Sequence, residues 1–157
     1  WCYLGTNGAM VTNDWMADSK GWCYLGDDGY MVTNCWVPDS VGSCYIGPEG
    51  YILTECWVEF EGHSVYVDKD GRAVVNEWIY DGSDWYYVDE NAYKVTSKWV
   101  EKENGLVFVG GTGRIITNAW VRDGDYKCYV GSDGYRLVGE HTINGTTYVF
   151  DYEGHLI

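Results

Sequence analysis

Along this chain a short run of apolar and aromatic residues recurs at a constant interval. It reads WCYL at 22–25, SCYI at 43–46, SVYV at 64–67, WYYV at 85–88, LVFV at 106–109 and KCYV at 127–130. Runs this rich in β-branched and aromatic residues are read as strands. A turn pair follows each one: Asp28-Gly29, Glu49-Gly50, Asp70-Gly71, Asn91-Ala92, Thr112-Gly113 and Asp133-Gly134. Asp-Gly and related pairs suit the φ > 0 turns of hairpins. Asn91-Ala92 departs from this, and because Ala meets a steric cost at positive φ, Asn91 is expected to take that conformation itself. A second apolar run, such as YMVT at 30–33 or RIIT at 114–117, is expected to pair back on the first. The reading is a short β-hairpin followed by a loop that carries a Trp.

That Trp sets the period. Trp15, Trp36, Trp57, Trp78, Trp99 and Trp120 stand 21 residues apart without slippage, and His141 takes the next place. A fixed period in this range marks a solenoid or array. The chain divides into a partial unit at 1–14, full units at 15–35, 36–56, 57–77, 78–98, 99–119 and 120–140, and a weaker C-terminal cap unit at 141–157. A lone hairpin is marginal in water, so neighbouring units must share their apolar faces. The expected fold is all-β, a solenoid of stacked β-hairpin repeats read as one array over residues 1–157. Because the chain opens inside a unit, it is expected to be a piece of a longer protein.

Alternation along each strand places Trp22 and Tyr24 on one face and Cys23 and Leu25 on the other. The Cys/Val and Leu/Ile/Val positions are expected to line the interior. The leading Trp is expected to serve chiefly in packing, since it persists where its neighbours change. The position held by Trp22, which varies from Trp to Ser, Leu and Lys, reads as a tuned surface position. The six cysteines are expected to be buried free thiols, with disulfides as the alternative.

Composition narrows the function. Nine Trp, fifteen Tyr and three Phe supply ring faces, while the net charge is −14. That charge opposes binding to nucleic acid phosphates or to an anionic membrane surface, and it is compatible with a cationic or neutral ligand. No apolar run approaches the ~20 residues that cross a bilayer, so no membrane insertion is expected. No catalytic constellation emerges: His63 and Ser64 point to opposite strand faces, and the acids cluster in turns. There is no C-x-x-C pair, Asp68-x-Asp70-Gly71 only begins like a calcium loop, and no helix follows Gly110-Gly111-Thr112-Gly113. Catalytic residues, metal and cofactor are all expected to be absent.

The pattern W-x(6)-W-x-Y-x(4)-G-x-M-x-T, held by Trp15, Trp22, Tyr24, Gly29, Met31 and Thr33 with Trp36 opening the next unit, resembles the cell-wall-binding repeats of Gram-positive surface proteins. Choline-binding repeats are the best known of these, and related repeats occur in glucan-binding domains and clostridial toxin tails. The resemblance implies sites between consecutive hairpins, in which two aromatics of one hairpin and the next leading Trp box a quaternary ammonium. Carried onto this sequence, three boxes are complete: Trp1/Tyr3/Trp15, Trp22/Tyr24/Trp36 and Trp85/Tyr87/Trp99. At Lys127/Tyr129/His141 a positive charge stands where a cation would sit. An extra residue before the leading Trp, as in Thr33-Asn34-Cys35-Trp36, departs from the choline pattern and favours a wall or glycan ligand in general. The expected function is a non-catalytic cell-wall or glycan-binding module that anchors a larger secreted protein at the bacterial surface. Its expected partners are cell-wall polysaccharide, teichoic acid or a choline-like group. Two alternatives are a structural spacer or adhesin stalk with internal aromatics, and a toxin-type tail that reads host glycans.

Overall fold

The computed structural model describes residues 3–157; Trp1 and Cys2, and with Trp1 the first of the three boxes, lie outside the described residues. Among the described residues there are fourteen strands in seven antiparallel hairpins. These are β1 (Asp14–Ala17) with β2 (Trp22–Leu25), β3 (Cys35–Pro38) with β4 (Ser43–Ile46), and β5 (Cys56–Phe60) with β6 (His63–Val67). They continue with β7 (Glu77–Tyr80) and β8 (Trp85–Val88), β9 (Lys98–Lys102) and β10 (Gly105–Val109), β11 (Ala119–Asp123) and β12 (Tyr126–Val130), and β13 (Gly139–Ile143) and β14 (Thr146–Phe150). Contacts divide the chain into two compact units, Trp1–Val75 with Glu90–Tyr93, and Asn76–Asp89 with Lys94–Ile157. Within each unit the fold is a stack of hairpin repeats, with no helix among the described residues.

The pairing differs from the expected hairpin in one respect. The leading Trp lies on a strand, not in a loop, and its partner is the Tyr or Phe of its own unit: Trp15↔Tyr24, Trp36↔Tyr45, Trp57↔Tyr66, Trp78↔Tyr87, Trp99↔Phe108 and Trp120↔Tyr129. The Asp-Gly pair does make a tight turn, with Gly29 N–H donating to Gly26 O at 3.0 Å and Gly26 N–H to Tyr30 O at 2.8 Å. The run after it pairs back on the first through the bridge Leu25↔Met31 and through Val32 N–H donating to Tyr24 O at 3.0 Å, without forming a longer strand ladder. It stops there because the backbone turns left-handed just before the next strand. Asn13, Asn34, Glu55, Asn76, Ser97 and Asn118 all have φ between 48° and 52°. Asn enters this region more readily than most residues, which accounts for its frequency at that place. The extra residue, Cys35, is then the first residue of β3.

Ala92, not Asn91, holds the positive φ of its turn, at 66°. The turn's hydrogen bonds fix which residue is left-handed, and that is the place of Gly29 and Gly71. Space also decides it. A Cβ on Gly71 would fall 2.5 Å from Ile52 Cγ2 and 2.9 Å from Leu53 O. For the Ala92 turn the residue at the place of Ile52 is Ala73, small enough to leave room, and both alanines belong to one apolar cluster with Tyr45, Val58, Val65 and Val67.

The interior follows the expected alternation. Cys23, Leu25, Ile46, Val67, Val88, Val107, Val109, Cys128 and Val130 are completely buried. Each such side chain contributes on the order of 1.5–3 kcal/mol by leaving water. Backbone bridges link one repeat to the next: Cys23↔Tyr51 and Val65↔Tyr93 in the first unit, Val107↔Tyr135 in the second. The five described cysteines, Cys23, Cys35, Cys44, Cys56 and Cys128, are free thiols. Burial pushes each of them above the ordinary thiol pKa. The last hairpin keeps its own register, with His141 opposite Tyr148 and a turn at Asn144-Gly145.

Candidate functional site

Trp15, Trp36, Trp57, Trp99 and Trp120 are each edge-on to the ring opposite them, and Trp78 is tilted against Tyr87. Ring centroids lie 5.3 Å apart for Trp15–Tyr24, 5.0 Å for Trp36–Tyr45, 5.2 Å for Trp99–Phe108 and 5.1 Å for Trp120–Tyr129. Edge-to-face pairs at such distances are favourable beyond their area. Trp78 and Trp99 also reach forward, donating Nε1–H to the backbone oxygens of Glu101 and Arg122 at 3.1 and 3.2 Å. The leading Trp therefore ties its hairpin to the following one.

This packing groups the expected site residues differently from the boxes. Tyr24 packs on Trp15, while Trp36 packs on Tyr45 and, at 6.1 Å, on Phe60. Tyr87 packs on Trp78 at 5.2 Å, Trp85 on Tyr80 at 5.3 Å, and Trp99 on Phe108. Tyr3 donates its hydroxyl to Asp18 Oδ2 at 2.9 Å, which pushes its pKa up to about 12, and Tyr51 donates to the same oxygen at 2.9 Å.

Trp15 and Trp22 come together in a cleft of about 590 Å³ within the first unit. Trp22 stands 55% exposed at its rim, and Cys44, Ile52 and Thr54 add to the lining. Four charged residues complete it: Asp39, Arg72, Lys69 and Asp70. They are mutually paired. Arg72 donates to Asp39 Oδ2 at 2.5 Å, and Lys69 Nζ lies 2.7 Å from Asp70 Oδ2. Asp39 opens the loop between β3 and β4, where its Oδ1 accepts from Val41 N–H at 2.8 Å and Gly42 N–H at 2.7 Å. Those two backbone donors, ahead of Arg72, hold its pKa down at about 2. The cleft thus offers two indole surfaces beside a charge-balanced polar wall with no carboxylate left unpaired.

The indole pair recurs three repeats later, in the second unit, with a different wall: Val107, Ser132 and Tyr135 take the places of Cys44, Lys69 and Arg72. Trp78 and Trp85 stand where Trp15 and Trp22 stand, and Lys102 takes the place of Asp39. Lys102 Nζ lies over both rings, 4.9 Å from the Trp78 centroid and 4.2 Å from that of Trp85. The other leading Trp residues of this unit are covered likewise, Trp99 by Arg136 Cζ at 4.7 Å and Trp120 by Lys127 Nζ at 4.1 Å. The sequence grouped Lys127 with Tyr129 and His141, whereas its Nζ lies over Trp120 of its own hairpin; Asp39, Arg72 and Lys102 were not singled out. Aligning the fourth residue of every unit would have exposed the column: Asp18, Asp39, Phe60, Asp81, Lys102, Asp123.

No family model and no curated protein matches the chain. Solved structures do. The modular autolysin LytC from Streptococcus pneumoniae is 26% identical with a TM-score of 0.84, over 99% of this chain and 36% of LytC. Choline binding protein F from the same organism is 26% identical with a TM-score of 0.64, over 100% of this chain and 54% of that one. CbpJ, also from S. pneumoniae, is 24% identical with a TM-score of 0.67, over 99% of this chain and 56% of that one, a likeness of fold alone. The chain spans between about a third and a little over half of these proteins. By its stacked hairpins and its leading tryptophans, the chain shares the repeat fold of LytC and choline binding protein F.

Proposed function

We propose that the array is a non-catalytic cell-wall-binding module and that the Trp15/Trp22 cleft receives a small organic cation of the choline type. The single observation behind this reading is Lys102. An equivalent indole pair in the same chain holds an ammonium group at 4.2 and 4.9 Å, so the local geometry suits a cation. An ammonium over an indole face gains about 0.5–2 kcal/mol, more as water is excluded. In the first cleft Asp39 is already engaged by Arg72, so the indole faces are the receiving groups. That favours a quaternary ammonium, which has no N–H to satisfy, over a primary amine, which needs acceptors. The net charge of −14 draws a cation toward the surface.

The likeness to LytC and choline binding protein F supports a role at a Gram-positive cell surface, as the anchor of a larger protein. LytC has been solved with a synthetic peptidoglycan ligand, and choline binding protein F in the presence of a peptidoglycan analogue. Sugar stacking on the same indoles is therefore the second reading. Titration with choline, ethanolamine and soluble muropeptides, followed by calorimetry and Trp fluorescence, separates the two. Choline is expected to bind and ethanolamine to bind more weakly, with Trp22→Ala weakening both about tenfold or more. Muropeptide binding without any choline binding would transfer the site to the sugar reading. The absence of any Trp22-dependent signal would leave these aromatics as packing.

A further inference from the structure

We propose that Trp78 and Trp85 form a second ammonium site that the chain closes with its own Lys102, so that the fourth residue of the next unit decides whether this indole pair is available. This rests on the reading that such a pair takes an ammonium ligand.

Lys102 is the last residue of β9, and its place in the fold is fixed. Trp78 Nε1 donates to Glu101 O at 3.1 Å, which docks β9 against β7 immediately beside the lysine. Trp85 is 41% exposed and braced on one side by Tyr80 at 5.3 Å. The ammonium completes the other side. Among the described residues Lys102 makes no ion pair with a carboxylate, so the two indoles are its partners. Loss of water around it pulls its pKa below that of an ordinary lysine, as expected for a cation lodged against rings.

A tethered group competes as though present at roughly millimolar concentration. Free ligand below that range does not displace it, and the pair stays closed. At Trp15/Trp22 the equivalent residue is Asp39, whose side chain is drawn into its own loop and onto Arg72 and leaves the rings uncovered by a lysine. At Trp36 it is Phe60, which packs on Trp36 and Tyr45 at 6.1 and 6.2 Å and fills that junction with a ring. Three residues in one column thus give an open, an apolar and a cation-filled junction. Lys102 is on this account a specificity-determining residue for the number of ligands the array holds.

Calorimetric titration of the full chain with choline tests this, using wild type, Lys102→Ala, Lys102→Asp and each of these with Trp85→Ala. The substituted chains are expected to gain a second site that disappears with Trp85→Ala, while circular dichroism stays at its wild-type shape. No gain of a Trp85-dependent site in a folded Lys102 variant overturns the proposal, whatever the wild type binds. A Trp85-dependent gain in a chain whose wild type binds no choline supports this proposal and instead refutes the assignment to Trp15/Trp22. A second readout needs no ligand. The Lys102 Hε protons should be shifted upfield by the rings in wild type and return to the free-lysine position in Trp85→Ala; an unshifted Hε signal in wild type also overturns the proposal.

Discussion

The pairs Trp15/Trp22 and Trp78/Trp85 share repeat positions, strand type and a cross-strand aromatic partner, Tyr24 and Tyr87 respectively. They differ in what the next hairpin presents. One faces Asp39, held by Val41, Gly42 and Arg72; the other faces Lys102, lodged on both indoles. The strand register that builds the two is the same, so the hairpin framework does not by itself set what lies over the indoles. The framework residues, leading Trp and interior Cys, Val, Leu and Ile, make the junction. At Trp78 and Trp85 the side chain at that place in the next unit, Lys102, is what lies over the rings.

The comparison can be broken most severely at Trp22. It is 55% exposed and its removal leaves the hairpin interior untouched, so Trp22→Ala should lower choline affinity about tenfold or more while unfolding stability changes by under about 0.5 kcal/mol. Calorimetry and urea denaturation read the two effects. Asp39→Lys should come next: it installs the lysine of the closed pair in the open one and is expected to cost about tenfold in affinity through tethered competition. It also strips Arg72 of its partner, so Asp39→Asn, which does only that, serves as its control and should cost about twofold to fivefold.

The closed pair should respond in stability instead. Lys102→Met keeps the apolar stem and removes the charge, and it is expected to lower stability by about 0.5–1 kcal/mol in urea denaturation, the value of a partly exposed cation over an indole. The smallest effect expected is that of pH on the open pair. The folded pKa of Asp39, about 2, lies below its ordinary 3.8, so the stability its charge contributes is present above roughly pH 4 and is lost as pH falls toward 2. Choline affinity measured at about pH 5 and pH 8 should therefore agree within about twofold. A steep loss between them would mean that another group governs the cleft.

Much of the fold was legible because the repeat declares itself. The 21-residue spacing gave the stack, and alternation placed Cys23 and Leu25 inside, where both are fully buried. The pairing was harder to see. Asp28-Gly29 is so strong a turn signal that it hides the longer ladder which the same run makes with the strand before it, β1 with β2. The left-handed Asn34, which releases the chain to begin β3, has no comparable signature when Glu55 and Ser97 hold the same conformation. Ala92 escaped notice for a related reason: its room comes from Ala73, a residue one turn away in the stack.

Trp15 and Trp22, which line the cleft, were among the aromatics singled out in the sequence, and its charged wall was not. Trp22, Tyr24 and Trp36 suggested a box, but the cross-strand register sends Tyr24 to Trp15 and Trp36 to Tyr45. Pairing is set by which strands share hydrogen bonds, and a misplaced strand moves every aromatic partner with it. Asp39 and Lys102 were overlooked as turn residues. Their importance depends on what the previous hairpin presents, which nothing within their own unit reveals.

The most direct test of the account is a crystal structure of the full chain soaked in choline at low millimolar concentration. The account predicts ligand density over Trp15 and Trp22, with the ammonium within about 6 Å of both ring centroids, and Lys102 still in place over Trp78 and Trp85. Choline lying over Trp85 with Lys102 displaced into solvent, and nothing in the Trp15/Trp22 cleft, would contradict it.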